Sequence, residues 1–521
     1  MPKQKTRASV RTQKTGVLNP RHYAWNVFDD FGAYRTYFTL IVIAYSLYAL
    51  WHASTGGFHE AASASLITFA ALLPSYIWTR GNLPGLPIFP IYAATFVYTF
   101  SLQIINRDEI TDLMKRYTAT SSDLWISAVI ISGYLLFGTA AWVLILRKQL
   151  LPPQTCHAFR DQWVNPLTFA LFICSTFVTI GFATEKIYFL GSLSSAARAF
   201  SGTISTVAGF VLAYRMGQRV LPKPYQIPFI LVLLTNLIAA SASLLLVDSI
   251  SLAGTVVAAY TLGRRKVPWL ALVILLPLAF ILHEGKGDMR VKYWSQEKPV
   301  SSVKLYEYPA YFYEWFQYGW ESVTSKEEHT TVERADLIER TGLIQIFLVP
   351  YFMSPDTLPY LKGETYKDLP LMVIPRIIYP KKPVAHAGQR YLCVYYQLQD
   401  ERSTLTTSIG WGLFCEAYAN FGPIGTLFFG GFIGLFLAWL TRISSNVPIM
   451  TFRGIIGILT LAFAVQSEMT SGVWVSAFSQ AVIIIFGMRV VLMEKQINPE
   501  ATGISGSTRR PRTSLRRLSA T

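Results

Sequence analysis

Long apolar runs recur along almost the whole chain and limit what it can fold into. Most are roughly 17–25 residues long, the length that a helix needs to cross the ~30 Å hydrocarbon core of a bilayer. Hydrophobic residues make up 52% of the sequence and charged residues 15%, and this balance is far more apolar than that of water-soluble domains. Membrane β-barrel strands would instead give roughly ten-residue segments of alternating polarity. The sequence therefore predicts an all-α polytopic membrane protein.

Twelve predicted spans are separated by one long polar interruption. Spans one to nine fall within residues 33–283, and spans ten to twelve fall within 410–493 after a short or re-entrant helix. The spans cover residues 37–51, 62–78, 86–105, 124–146, 167–189, 201–214, 227–247, 252–262, 268–282, 424–440, 454–466 and 474–488. The interruption, residues 284–409, is predicted to be one large loop, and residues 1–32 and 494–521 are basic tails.

Basic residues are concentrated in the two tails and in the short loops that twelve spans place on one side. The formal net charge is +16, but this distribution is the pattern of the positive-inside rule and argues against nucleic acid as a partner. We expect both termini in the cytoplasm, the large loop outside, and the protein in the cytoplasmic (inner) membrane. The four cysteines are too scattered for a disulfide framework or a zinc site. Cys393 and Cys415 could pair, but we expect them to be unpaired.

The large loop changes character along its length. Residues 284–336 contain a run of Tyr, Trp and Phe that predicts an interfacial helix at the depth of the lipid headgroups. Between residues 340 and 390, seven cations are set against three carboxylates. The cations are Arg340, Lys362, Lys367, Arg376, Lys381, Lys382 and Arg390. The alternative is an ordinary headgroup-facing patch, although such patches normally lie on the cytoplasmic side.

A lipid-linked diphosphate at the membrane surface would need guanidinium forks and lysine ammonium groups. Arg376 suits this task because prolines flank its segment, and Lys381 and Lys382 follow closely. Arg198 and Arg290 lie at the predicted outer ends of spans and are further candidates, with snorkelling to the interface as the alternative.

Two other side chains could take part in chemistry. His386 can accept a proton near neutral pH, although a lone loop histidine can simply be a surface residue. Glu416 precedes span ten at membrane depth, where a carboxylate needs a partner. We expect Glu416 to hold an arginine of the basic cluster, with a role as general base as the alternative.

Two stretches resemble a known family. They are IPRIIYPKKP (374–383), followed by a histidine and a glycine, and GLFCEAYANFGPIG (412–425), which leads into a glycine-rich span. Together with the spans and the late large loop, these stretches resemble the Wzy-type oligosaccharide repeat-unit polymerases, which are relatives of the O-antigen ligases.

The resemblance implies a glycosyltransferase of the GT-C type that uses no metal and no other cofactor. It would transfer a glycan from undecaprenyl diphosphate to a hydroxyl of a second lipid-linked repeat unit. Arg376, Lys381 and Lys382 would stabilise the departing diphosphate, and His386 would activate the acceptor as in related ligases. A chain-length regulator and a flippase are the implied partners.

Three alternatives remain open. A ligase would differ from a polymerase only in its acceptor. A lipid-linked glycan flippase should carry charges along its spans, whereas the predicted spans have almost none. A membrane protease would need an outer cysteine, for which Cys415 or Cys393 with His386 and Arg376 is the candidate set.

Overall fold

The computed structural model describes most of the chain. The described residues are 31–55, 57–81, 83–105, 119–147, 152–184, 186–187, 192–244, 246–293, 303–324, 342–376, 378–406 and 409–498. Over these ranges the protein is mostly helical. A backbone surrounded by hydrocarbon must pair its own N–H and C=O groups, and a helix does so within a single segment.

The helices fall into three groups along the chain. The first group is α1 (Phe31–Ser54), α2 (Phe58–Thr79), α3 (Ile88–Ile105), α4 (Ser121–Leu146), α5 (Asp161–Ala183), α6 (Ser192–Gly217), α7 (Lys223–Ser241), α8 (Leu246–Arg264) and α9 (Trp269–Glu284). The loop region 284–409 contains α10 (Lys286–Tyr293), α11 (Tyr308–Thr324), α12 (Ile344–Met353), α13 (Leu369–Met372), α14 (Ala387–Tyr395) and α15 (Ser403–Thr406). The last group is α16 (Gly412–Ser444), α17 (Phe452–Ala464) and α18 (Ser471–Leu492).

Eight of the described helices are long and apolar enough to cross a bilayer, namely α1 to α5, α7, α16 and α18. Helices α9 and α10 meet at a 48° bend and pass the same test together, which raises the number to nine if they form one span. These helices confirm the predicted all-α, multi-pass membrane architecture. Predicted spans six, eight and eleven coincide with helices α6, α8 and α17, which are not among the eight.

Helix α16 packs closely along α4 because glycines line the contact. A Cβ placed on Gly434 would lie 2.1 Å from the carbonyl oxygen of Gly138, and one on Gly430 would lie 2.3 Å from that of Tyr134. Such small-xxx-small spacing lets two membrane helices approach backbone to backbone. At the start of α16, the Phe414 ring packs in an aromatic cluster with Phe96, Phe100, Tyr134 and Phe347.

Helix α16 is broken near its first third. Gly422 has φ 65° and ψ −169°, a conformation that essentially only glycine adopts, and Pro423 follows it. The break follows a largely buried segment, residues 412–420, and precedes a segment of membrane-crossing length, residues 423–444. It lies where the sequence predicts a short helix before span ten.

Replacing Gly422 with alanine is expected to destabilise the protein by about 1–3 kcal/mol, because a side chain is strained at this φ and ψ. The added Cβ would also lie 2.8 Å from the Tyr360 ring. Thermal unfolding of the purified protein in detergent measures the change. Gly431→Ala on the same helix is the matched control, since its Cβ would meet nothing within 4 Å. Equal melting temperatures for the two variants would contradict the predicted strain.

Two short strands join distant parts of the chain. β1 (Thr155–Phe159) follows α4, and β2 (Met493–Ile497) follows α18. They pair antiparallel, with Thr155 opposite Ile497. The connection after α4 and the segment after the last helix therefore meet at the same end of the helix bundle.

The aromatic run in the loop region forms helix α11, which packs on α9. The Trp315 indole donates a hydrogen bond to the Leu282 carbonyl at 2.7 Å, and the Tyr311 hydroxyl donates to the Ala242 carbonyl at 3.1 Å. Other aromatic side chains of this helix, Tyr313 and Trp320, are exposed. The predicted interfacial helix is thus anchored to the protein on one face and exposed on the other.

Candidate functional site

Glu416 is fully buried at the start of α16 and connects it to the last helix. Its carboxyl group accepts hydrogen bonds from the backbone N–H of Ser471 at 2.6 Å and from the Ser471 hydroxyl at 2.8 Å. The Thr365 hydroxyl contributes a third hydrogen bond. Because Ser471 is the first residue of α18, the carboxyl group lies at the positive end of that helix. Serine and threonine thus take the place of the arginine partner that the sequence analysis expected.

Asn420 lies one turn beyond Glu416 and holds the segment 361–366 against α16. Its side-chain amide donates to the Thr365 hydroxyl at 2.9 Å and accepts from the Gly363 N–H at 3.1 Å. Its backbone carbonyl accepts from the Lys362 N–H at 2.8 Å. Glu416 and Asn420 therefore form one buried polar network that positions two parts of the loop region.

Residues 369–395, named here the basic segment, pack against this network and against the beginning of α18. A Cβ placed on Gly388 would lie 3.9 Å from Oε1 of Glu416, and one placed on Gly472 would lie 2.9 Å from the Ala385 carbonyl oxygen. Gly472 therefore permits an approach that a side chain would obstruct, and Gly388 lies within ordinary contact distance of Glu416. The segment that carries the predicted site residues lies directly over the N-terminal ends of α16 and α18.

Arg376 is half-buried within the basic segment, and its guanidinium donates a hydrogen bond to the Pro383 carbonyl at 3.0 Å. This bond closes a turn and uses one of the five guanidinium N–H groups. Exposed apolar side chains surround the turn: Val373, Ile378, Tyr379 and Val384. A cation bordered by exposed apolar groups is the arrangement expected where a protein meets a membrane surface.

Lys382 differs from its two predicted companions because its side chain points inward. It is only 4% exposed, and its ammonium group donates to the carbonyls of Met372 and Ile374. Burial and, secondarily, the nearby Arg376 guanidinium lower the pKa of Lys382. Lys382 therefore shapes the segment that presents Arg376, whereas Lys381 is exposed and available to a ligand.

His386 is exposed at the start of α14 and interacts with the buried Gln389. The Gln389 amide nitrogen donates to the Ile409 carbonyl, so its Oε1 atom lies 2.9 Å from Nδ1 of His386. An amide oxygen only accepts hydrogen bonds, so Nδ1 must carry the proton. The other ring nitrogen, Nε2, is then the one that can accept a proton from a substrate.

Arg390, in the first turn of α14, is half-buried, and its backbone N–H donates to the His386 carbonyl at 2.9 Å. Arg376, Lys381, His386 and Arg390 thus all lie on the basic segment, which approaches Glu416 at Gly388. Arg340 lies outside the described residues.

Two predicted arginines make other contacts. The Arg198 guanidinium lies over the Phe182 ring at 5.0 Å, at the start of α6. Arg290 donates a hydrogen bond to the Leu244 carbonyl at 2.9 Å and so joins α10 to the end of α7. These contacts give both arginines a structural role, so their positions can be explained without a bound ligand.

Cys393 and Cys415 are buried and are not joined in a disulfide, as expected. The Trp411 indole donates to the Cys393 sulfur at 3.3 Å, and Cys415 is fully buried beside the Leu343 carbonyl. Neither thiol faces a surface where it could act as a protease nucleophile. Among the described residues, no group of three or more His, Cys, Asp or Glu side chains is placed to hold a metal ion.

Sequence reasoning missed three side chains of this site. Gln389 lies three residues after His386, a spacing that places side chains on the same helix face, so this pair could have been recognised. Thr365 and Ser471 are ordinary loop and helix-start residues that no local pattern marks as partners of Glu416. Their contribution follows only from the fold.

The fold and site define a polytopic helical membrane protein in which a basic segment lies over a buried carboxyl group. No protein-family model, curated protein or solved structure matches this chain. A functional assignment must therefore be argued from its own residues.

Proposed function

We propose that this protein is a glycosyltransferase that polymerises lipid-linked oligosaccharide repeat units. The observation that carries the proposal is the position of the basic segment across the start of α18, with Arg376 and Lys381 bordered by exposed apolar side chains. A diphosphate attached to a membrane lipid needs cations at the depth of its headgroup. The resemblance of residues 374–383 and 412–425 to Wzy-type polymerases supplies the substrate class, undecaprenyl-diphosphate-linked glycans.

The proposed topology has twelve spans, with both termini in the cytoplasm and the basic segment on the outer side of the cytoplasmic membrane. Pairing of β1 with β2 supports it, since the chain between these strands must then cross the membrane an even number of times. The twelve-span topology places eight crossings between the two strands, formed by α5 to α8, by α9 together with α10, and by α16 to α18. It requires α6, α8 and α17 to cross in addition to the helices that meet the criterion of length and composition. The positive-inside distribution of Arg and Lys favours the same orientation.

The reaction is a substitution at the anomeric carbon of the donor glycan. An acceptor hydroxyl oxygen forms a bond to that carbon, and the bond from the carbon to the diphosphate oxygen breaks with its electron pair. Undecaprenyl diphosphate leaves, and the hydroxyl proton moves to Nε2 of His386, which Gln389 orients. Arg376, with Lys381 and Arg390, compensates the charge on the leaving diphosphate. A flippase that delivers repeat units and a chain-length regulator are the proposed partners.

The nearest competing function is that of a ligase, which would transfer a finished chain to another acceptor. Electrophoresis of surface glycan from a deletion strain separates the two. A lost polymerase leaves single repeat units on the acceptor, whereas a lost ligase leaves long chains on undecaprenyl diphosphate. Long glycan on its normal acceptor in the deletion strain would exclude both functions.

Replacing His386 with alanine is expected to slow chain growth by about 100-fold, a typical contribution of general-base catalysis. The measurement is the rate of elongation by purified protein with lipid-linked repeat units. Unchanged elongation by His386→Ala would show that His386 is not the general base and that Glu416 or the substrate itself accepts the proton.

A further inference from the structure

A groove of 670 Å³ runs along one side of α16 and extends across its break. Its volume is within the range of roughly 300–1,000 Å³ that is typical of ligand sites. The lining residues are Tyr360, Lys362, Asn420, Phe421, Gly425, Phe428, Phe429 and Phe432. None of the roles described above uses the aromatic part of this groove.

The aromatic side chains form a stripe that follows the membrane-crossing part of α16. Gly425, Phe428 and Phe432 are spaced so that they fall on one face of the helix, and Phe421, just before the break, lines the same groove. Phe428 is 67% exposed and Phe432 is 57% exposed, so in a bilayer both rings face lipid. Tyr366 stacks on Phe421 with an interplanar angle of 5°. This contact stabilises the wall of the groove at the end nearest the break in α16.

Among the lining residues of the groove, Lys362 is the one cation, and it lies at the end nearest the break in α16. Lys362 is exposed, and its backbone, at φ 51°, is fixed by the hydrogen bond from its N–H to the Asn420 carbonyl. The neighbouring carboxylate, Glu364, is paired with Lys367, so the charge of Lys362 is not neutralised by it. The groove is therefore amphiphilic, with an ammonium group at one end and aromatic rings along its length.

The cationic end of the groove is connected to the candidate site. Asn420 lines the groove and also donates to the Thr365 hydroxyl, which in turn bonds to Glu416. A ligand with its head at Lys362 would therefore lie beside the same buried network on which the basic segment rests.

We propose that this groove binds a polyprenyl phosphate lipid, with its phosphate at Lys362 and its first isoprene units along the Phe421–Phe432 stripe. A phosphate matches the ammonium group in charge, and a branched hydrocarbon chain matches the aromatic walls through many close contacts. The choice of a polyprenyl lipid rests on the proposed function. The groove adds a second docking site, besides the diphosphate site at Arg376, for one of the two lipid-linked glycans that the proposed reaction uses.

The test is binding of undecaprenyl phosphate to purified protein in detergent, measured by native mass spectrometry. Undecaprenol, which lacks the phosphate, and phosphatidylglycerol are the comparison lipids. Lys362→Asn removes the charge but tolerates the positive φ, and Phe428→Ala/Phe432→Ala opens the stripe. The controls are Lys304→Asn, at another exposed lysine of the loop region, and Phe177→Ala on α5, where the ring is 68% exposed.

The wild-type protein should bind undecaprenyl phosphate at least about tenfold more tightly than either comparison lipid, since hydrogen bonds to charged groups contribute effects of that size. Lys362→Asn should remove the preference over undecaprenol, and the double variant should weaken binding of both polyprenyl lipids. Both controls should bind as the wild type does. Equal binding of phosphatidylglycerol, or unchanged binding by both groove variants, would overturn the proposal.

Glycan synthesis by Arg376→Ala separates this inference from the proposed function. If Arg376→Ala makes normal long chains while the groove variants lose lipid binding, the polymerase mechanism fails and the lipid site stands. If Arg376→Ala makes none while the groove variants bind normally, the groove proposal alone fails.

Discussion

Replacing Arg376 with alanine is expected to abolish long-chain glycan and to lower the elongation rate by about a thousandfold or more. Losses of that size follow when a cation that stabilises a leaving phosphate is removed. The guanidinium is half-buried and uses a single described hydrogen bond, to Pro383, to hold its turn, so several N–H groups remain for a diphosphate. The measurement is the glycan ladder from a deletion strain that expresses the variant, together with elongation by purified protein.

Arg376→Lys should retain only a small part of the activity. An ammonium group keeps the charge, but it cannot grip two phosphate oxygens in the planar geometry of a guanidinium fork. Arg402→Ala is the matched control, because Arg402 is an exposed arginine of the same loop region outside the basic segment. All variants should melt at similar temperatures, since Lys382 still ties the segment through Met372 and Ile374.

A normal ladder of chain lengths from Arg376→Ala would refute the diphosphate role. Full activity of Arg376→Lys would show instead that only the net charge of the segment matters. Loss of activity in Arg402→Ala to the same extent would point to a general electrostatic effect of the loop region.

The membrane helices could be predicted well from sequence because hydrocarbon imposes a simple requirement. Each crossing must be a continuous run of apolar residues of a certain length, and such runs are visible without any tertiary information. Even so, α6, α8 and α17 are not among the helices that meet the criterion of length and composition. Glycines on α16 that contact Gly138 and Tyr134 could be noticed in the sequence, but their partner helix could not.

The site was predicted less completely because the partners of its side chains are fixed by tertiary packing. Lys381 and Lys382 are adjacent and identical in sequence, yet one is exposed and the other is buried against Met372 and Ile374. The interior carbonyl groups that Lys382 satisfies belong to a turn that has no periodic pattern. The sequence therefore indicated where the cations are concentrated, but only the structure shows which of them a ligand can reach.

The partners of Glu416 are likewise fixed by tertiary packing and could not be predicted from the sequence. Its position at membrane depth indicated that it needs a partner, and the expected partner was an arginine. The partners are the hydroxyl groups of Thr365 and Ser471 and the N–H at the start of α18. Because these groups come from two parts of the chain that are distant from Glu416 in sequence, only the folded structure brings them together.

Replacing Glu416 with alanine is expected to destabilise the protein by about 3 kcal/mol or more, since it leaves several buried donors without an acceptor, each at a cost of about 1–3 kcal/mol. The donors are the Ser471 N–H and the hydroxyls of Ser471 and Thr365. The start of α18 and the segment 361–366 would then lose their common anchor. We expect a lower melting temperature, a lower yield of folded protein and loss of glycan polymerisation.

Glu416→Gln distinguishes an anchoring role from a catalytic one. The glutamine side-chain oxygen can still accept from the Ser471 N–H, and the hydroxyls of Ser471 and Thr365 can rotate to accept from its amide nitrogen. We therefore expect this variant to keep most of its stability and its elongation rate. Glu364→Ala is the control, because this carboxylate forms an exposed ion pair with Lys367 and such pairs contribute little. A Glu416→Gln protein that melts normally but does not elongate glycan would make Glu416 a catalytic group, and His386 would then not be the base.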